Sequence, residues 1–408
     1  MLKLGPSIKY AYKLKPFYLY IPIIAFLLFL SLFHRLPEMT QLNDWCTTPY
    51  TFDYSYGFHS RLLMGTLFKL LLSPISLKRL YLFILASLVI LVVLFSVFFS
   101  SAIARSNDKS RIGIGYWTLL LMASPASIAF LFYWGNYGRF DLYLLGVMFT
   151  ALLLVDKKYF NNLVPLLLGI GMAIHQVFIF TYCAVIIGAL FYESYRHAYS
   201  KASVIRLLCG IIITLIAFFY FQFATTPLAF ETAKDVVSHM NTLSNIPVNE
   251  KMIDYEYFRS ISEHLDAFVK IGLKDRMAMG GIVIVLMSPL IVLYLRFWRL
   301  LYKSSWRFGF VCLSLLPLAS LPAFILTIDW GRWFAAVILA SFSLIAYLFK
   351  RQEPLAVTFF EGLTIRIKKS PYIYVALLAY MMFLNKFEAA AILSFASKIL
   401  YFFKDYMV

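Results

Sequence analysis

Residues 80–103, LYLFILASLVILVVLFSVFFSSAI, run for 24 positions without a charged side chain. A helix needs roughly 20 apolar residues to cross a hydrocarbon layer of about 30 Å. Comparable runs fall at 17–33, 114–134, 139–155, 204–223, 279–295, 308–328, 333–349, 371–385 and 387–403. With 62% hydrophobic residues, 14% charged and a mean hydropathy of +0.79, the chain has too little polar surface to fold around a water-soluble core. The reading is an all-α integral membrane protein, with residues 1–408 as one polytopic helical bundle. Its first run follows a basic N-terminus but has no small-residue cleavage site after it, so it reads as a span rather than a targeting segment.

The run 163–192 is too long for one untilted crossing and short for two. Charge decides how it is counted. If it hinges near IHQVF into two short segments, about twelve membrane segments result and both termini are cytoplasmic. The inner loops then hold 22 Lys and Arg against 14 outside, and 6 acids against 14. A single crossing would put the basic 296–307 and 350–369 loops outside, against the positive-inside tendency. The net charge of +17 is therefore a topology signal and implies no nucleic-acid partner. Four cysteines, one in a loop (Cys46) and three in apolar runs, give neither a disulfide framework nor metal-ligand spacing. No internal repeat is visible.

Two outer loops follow, 34–79 and 224–278. In the first, Arg61, Gly65, Lys69 and Ser73 recur every four residues, which lines them along one face of an otherwise leucine-rich helix lying in the interface. The stretch 353–366 reads as a second interfacial helix, on the cytoplasmic side. On the outer face lie Asp44, Asp53, His59 and Arg61 of the first loop. Asn136, Arg139 and Asp141 occupy a turn, His175 and Gln176 the hinge, and Asp329 and Arg332 the lip of a span. Ionisable groups at the edge of hydrocarbon usually face a cavity and mark a site. None of the cytoplasmic loops shows a comparable set. No nucleotide pool exists outside the cytoplasm, so a transferase there needs a lipid-carried donor whose leaving phosphate arginines can bind. The attacking hydroxyl needs a carboxylate to take its proton.

The stretch NDWCTTPYTFDYSYGFHSRLLMGTLF, 43–68, resembles the first outer loop of the GT-C class of membrane glycosyltransferases. There an acid, then aromatics and a basic residue, lead into an interfacial helix. The resemblance implies a GT-C-like bundle that transfers a sugar from a polyprenyl-phosphate-linked donor to a surface polysaccharide at the bacterial inner membrane. It implies Asp53 as the catalytic base, with Asp44 as its substitute. Arg61, Arg139, Arg332, His175 and Gln176 would bind the donor phosphate, oriented by Asp329 and Asp141. Tyr54, Tyr56 and Trp330 are the candidates for sugar stacking. No metal or other cofactor is expected, since no second acid adjoins Asp53. The partners are the lipid-linked donor, a glycan acceptor and the bilayer. In size and in its two outer loops the chain is also similar to O-antigen and capsule polymerases, which join lipid-linked repeat units. A transporter or flippase of lipid-linked sugar is the rival from another class, which broken helices would favour.

Overall fold

A computed structural model describes residues 6–133, 135–224, 230–259, 273–326 and 329–385, with residues 262, 263, 266 and 399. Every regular element among them is helical, the form in which a hydrocarbon-embedded backbone satisfies its own hydrogen bonds. The N-terminal half contains α1 (Pro6–Leu32), α2 (Asp44–Thr47), α3 (Leu62–Leu72), α4 (Leu77–Ile103), α5 (Arg111–Ala123), α6 (Asp141–Leu154), α7 (Val164–Ile174) and α8 (Cys183–Arg196). Then come α9 (Lys201–Phe223), α10 (Ala233–Leu243), α11 (Glu250–Ile253), α12 (Leu273–Leu286), α13 (Ser288–Trp298), α14 (Arg307–Leu315), α15 (Leu321–Leu326), α16 (Trp330–Lys350), α17 (Pro354–Lys369) and α18 (Pro371–Leu384).

Six described helices are long and apolar enough to cross a membrane: Phe17–Arg35, Leu77–Ile103, Arg111–Phe132, Lys201–Phe223, Arg307–Phe324 and Trp330–Lys350. A seventh arises if α12 and α13, bent by 68° where Pro289 removes a backbone donor, count as one crossing. Expected spans 139–155 and 371–385 form helices of only 14 residues, about 21 Å long. The run 163–192 does break at the expected place. Helix α7 stops at Ile174, His175 is extended (φ −166°, ψ 124°), and α8 starts at Cys183. The expected span 387–403 lies outside the described residues apart from residue 399.

Helix α16 is the hub, packed against α4, α5, α8, α13, α15 and α17. Its Gly331, Ala335, Ala336, Ala340, Ser341, Ser343 and Ala346 are nearly all buried and let neighbours approach closely. At the periphery, α9 exposes Ile205, Leu208, Ile212, Leu215, Ile216, Phe219 and Phe223, an apolar surface suited to lipid. The described residues of the two long loops expected outside, 34–79 and 224–278, fold together into one cap. Phe52 and Leu62 share a small core with Val236, Met240, Met252 and Ile253, and Thr48 Oγ1 accepts from the Asn249 amide at 2.8 Å. In α3 only the start of the small-and-polar stripe faces protein: Gly65 is buried against the carbonyls of Tyr50 and Phe52, while Lys69 and Ser73 are exposed along with Leu67, Leu70 and Leu71. Helix α17 forms over much of the expected second interfacial segment and packs on α5 through Phe359, Phe360 and Thr364.

Charges converge at both ends of the bundle, which corrects the expectation of a one-sided set. Helices α6 and α16 lie parallel, with Asp141 and Arg332 paired at their starts and Asp156 and Lys350 (3.3 Å) at their ends. At that second end Arg351 grips Glu193 with two nitrogens, Nε to Oε1 at 2.6 Å and Nη2 to Oε2 at 2.9 Å. Tyr347 donates to the same Glu193 (2.7 Å). These residues read as ordinary loop charges because each stands alone in sequence. The connecting loops gather there too, through Gln352 to the Arg105 carbonyl (3.1 Å), Arg196 to the Arg351 carbonyl, and the Trp306 indole to the Tyr199 hydroxyl (2.9 Å).

Candidate functional site

At the opposite end, where α6 and α16 begin, two acids and two arginines alternate in a chain. Arg332 Nη2 donates to Asp141 Oδ2 at 2.5 Å, Arg332 Nη1 to Asp329 Oδ2 at 2.6 Å, and Arg139 Nη1 to the same oxygen at 3.2 Å. Asp329 and Arg332 are thus the i, i+3 pair the sequence suggests, with Arg139 brought across by the turn that starts at Gly135. Burial alone would raise the Asp329 carboxyl, but Arg332 and Arg139 outweigh it and hold the group below the usual carboxylate range. Two helix N-termini point into the same volume, and their partial positive charge favours anions.

The 34–79 loop closes over this chain. Asn43 Nδ2 and Cys46 Sγ both donate to the Gly135 carbonyl (3.4 Å each), which seats α2 on the turn that carries Arg139. Burial pushes the Cys46 thiol up, against the pull of Arg139 and Arg332. Arg61 sits in left-handed backbone (φ 75°), a strained conformation for a long side chain. It is held there by the hydrogen bond its backbone N–H donates to the Ala173 carbonyl (3.1 Å) and by a 2.6 Å ion pair with Glu256. Ser60 donates to Gln176, so the loop is tied to the α7–α8 break at two adjacent points. His175 accepts from the Val177 amide through Nδ1 (3.2 Å) and lies within electrostatic reach of Arg61, Arg139 and Arg332. Buried Arg276 is within reach of Asp329. Four arginines therefore meet three carboxylates.

The two candidate bases differ. Asp53 caps the 3-10 turn Tyr54–Tyr56, accepting from the Ser55 amide at 2.8 Å, and pairs with Lys69 at 2.5 Å. Burial raises its carboxyl, yet the bonds from Lys69 and Ser55 prevail and hold it low. Asp44, at the start of α2, is half-buried, and its carboxylate makes no hydrogen bond or ion pair among the described residues. Tyr54 packs on Phe58 (4.9 Å), Tyr56 on Phe230 (5.8 Å), and the Trp330 indole donates to the Phe324 carbonyl (2.7 Å), so all three aromatics proposed for stacking also serve internal packing.

A lowered carboxyl contributes stability above the ordinary Asp value, about pH 4, and loses it as pH falls through the lowered value. Lys69, raised by its bond to Asp53, contributes below the ordinary lysine value and loses that only as pH rises through the raised one. The pair is whole between those limits. Because Lys69 is 47% exposed, its worth is under about 1 kcal/mol. Asp53→Asn should lose this contribution near neutral pH, and the gap to wild type in chemical unfolding should close as pH falls through the lowered Asp53 value. A gap that persists below that value contradicts the assignment.

Sequence reasoning missed Glu256, Tyr257 and Tyr182. Glu256 and Tyr257 lie in a π-helical turn, Asp254–Phe258, a geometry that recurs at functional sites; in sequence the signal was only an acid between two tyrosines. Tyr182 had none. Around the ion chain, Arg139 Nε, Arg332 Nε, Asn136 Nδ2 and the hydroxyls of Tyr182 and Tyr257 are buried with no partner among the described residues. An unmet buried donor costs about 1–3 kcal/mol, so a group of them asks for an acceptor. The Glu193–Arg351 cluster at the far end leaves no such atom. No group of three His, Cys, Asp or Glu side chains placed to hold a metal occurs among the described residues. Compared with protein-family models, curated proteins and solved structures, the chain matches none.

Proposed function

We propose that the chain is a GT-C-like glycosyltransferase of the bacterial inner membrane, moving a sugar from a polyprenyl-phosphate-linked donor to a surface polysaccharide. The observation that carries this reading is the set of unmet buried donors beside Arg139 and Arg332. Oxygen-rich phosphate supplies the acceptors they lack, and arginine's planar fork suits it. Asp44, whose carboxylate is free, is the better base than Asp53. It takes the acceptor's hydroxyl proton as the hydroxyl oxygen bonds to the sugar's anomeric carbon, the bond from that carbon to the phosphate oxygen breaks, and the phosphate leaves into the arginines. His175 and Gln176 border the donor. The basic end of the bundle is cytoplasmic by the positive-inside tendency. Counting the short apolar helices and 387–403 as membrane segments restores about twelve, with both termini inside.

Joining whole repeat units uses the same chemistry. The breaks at His175 and Met287 favour a transporter as the second reading, because broken helices line transport sites. Surface glycan from cells lacking the chain, complemented with wild type, Asp44→Asn or Asp53→Asn at equal membrane abundance, tests these. Asp44→Asn should abolish the product and Asp53→Asn should retain most of it; normal glycan from Asp44→Asn removes the base assignment. Missing long chains with single units retained indicate polymerisation, and one missing branch sugar indicates single transfer. Lipid-linked sugar trapped on the cytoplasmic leaflet would replace transfer by transport.

A further inference from the structure

On the lipid-facing side of the bundle, well away from the arginine chain, α13 and α18 part to leave a groove of about 230 Å³. Ser288, Pro289, Val292, Tyr374 and Leu377 line it, and Arg296 stands at its mouth. Its form follows from the bend at Met287. Tyr380 of α18 donates to the Leu286 carbonyl (3.0 Å) just above Pro289, which pins the two helices together there. Below the pin, the Tyr116 hydroxyl bonds the Tyr374 carbonyl (2.9 Å) and holds α18 toward α5. The slot stays open between.

From Ser288 to Arg296 the groove is about 12 Å long at 1.5 Å per residue. Over that length the open space is a slot roughly 7 Å wide, room for a hydrocarbon chain and narrower than the 10–12 Å of a helix. Its walls are apolar and open to the bilayer, with Val292 44% and Ile373 66% exposed. The mouth is strongly basic. Arg296, the adjoining Arg299 and Lys303, and the last turn of α17 with Arg366, Lys368 and Lys369 are all exposed, and none pairs with a carboxylate among the described residues. The segments that bear them touch, since α17 packs on α13, on the 299–303 turn and on α18. An apolar slot too narrow for a helix, opening under unpaired cations at the basic end of a bundle, fits one class of ligand.

We infer that this groove binds an anionic phospholipid of the leaflet on the basic side, one acyl chain in the slot and the phosphate on Arg296 and the α17 turn. Juxtamembrane cations attract anionic headgroups, each at roughly a fivefold gain in affinity, and pockets between helices on the cytoplasmic side are suited to hold them. The site lies at the opposite end of the bundle from the arginine chain, so it neither needs nor tests the proposed transfer.

The full-length protein, purified in detergent and exchanged into mixed micelles, is read by native mass spectrometry for retained dioleoyl-phosphatidylglycerol against dioleoyl-phosphatidylcholine. Wild type should retain the anionic lipid about tenfold better. Arg296→Ala should lower that preference roughly fivefold, and Leu377→Trp, which fills the slot, should release both lipids, each variant keeping the wild-type melting temperature. Soluble glycerol phosphate should not compete. Equal retention of the two lipids, an unchanged preference in Arg296→Ala, or full retention after Leu377→Trp overturns the site. Competition by glycerol phosphate replaces it with a free-phosphate site, and a dimer lost in Leu377→Trp without any lipid preference replaces it with a contact between copies. Should a variant unfold, photo-crosslinking of a diazirine-bearing phosphatidylglycerol to the wild type decides. Adducts on 288–296 or 371–377 support the site, and adducts elsewhere overturn it.

Discussion

Replacing Gly65 with alanine should unfold the cap made by the two long loops, and membrane abundance should collapse with it. A Cβ at this position would stand 1.7 Å from the Phe52 carbonyl oxygen and 2.8 Å from its carbon. Both atoms are backbone, so no rotamer change relieves the overlap, and either α3 or the 50–53 segment must move. That segment holds Tyr50, fully buried, whose hydroxyl bonds the Gly138 carbonyl (2.7 Å) and the Tyr143 hydroxyl (2.9 Å). It also holds Asp53. Overpacking of a core costs about 1–3 kcal/mol where side chains can adjust; a backbone clash that breaks buried hydrogen bonds as well lies above that range. Gly115→Ala and Gly362→Ala are the controls, because a Cβ at either meets nothing within 4 Å. A helical glycine so replaced gains about 0.5–1 kcal/mol. Thermal unfolding in detergent compares the three, and a Gly65→Ala protein as stable as Gly115→Ala contradicts the packing described.

The long apolar runs were legible because crossing hydrocarbon imposes a length and a composition together, and six of them became helices that meet both. The break at His175 was legible as excess length. What was read too generously is length: the runs 139–155 and 371–385 fall short of the roughly 20 residues a crossing needs, and the helices they form, Asp141–Leu154 and Pro371–Leu384, are shorter still. Pairings between distant segments are the other gap. Lys69 was visible on the stripe with Gly65 and Arg61, but that the loop folds back to give Asp53 to Lys69 depends on Gly65 letting Phe52 approach, which no spacing encodes. Glu256 answers Arg61 from 195 positions away. The Asp329–Arg332 pair was readable locally; that Arg139 and Asp141 would join it was suggested only by their shared face.

Substitution of Arg332, first to alanine and then together with Asp141, separates a scaffold from a binding site. Alanine alone leaves Asp141, whose side chain is 2% exposed, without its 2.5 Å partner, while Asp329 keeps Arg139. Breaking a buried pair from one side costs about 3–5 kcal/mol, because the remaining charge stays desolvated. Both stability and polyprenyl-phosphate binding should therefore fall. Arg332→Lys keeps the charge but lacks the fork that reaches Asp141 with one nitrogen and Asp329 with the other, so it should recover little of either. The informative variant is Arg332→Met with Asp141→Leu, which removes both charges and refills the volume; such exchanges are often neutral or stabilising. If Arg332 binds donor phosphate, this double variant should unfold near the wild-type temperature and still fail to bind polyprenyl phosphate in equilibrium binding to nanodiscs. Recovery of binding along with stability would make Arg332 a strut between α6 and α16. The phosphate would then belong to Arg139 and Arg61, whose removal would have to abolish binding in its place.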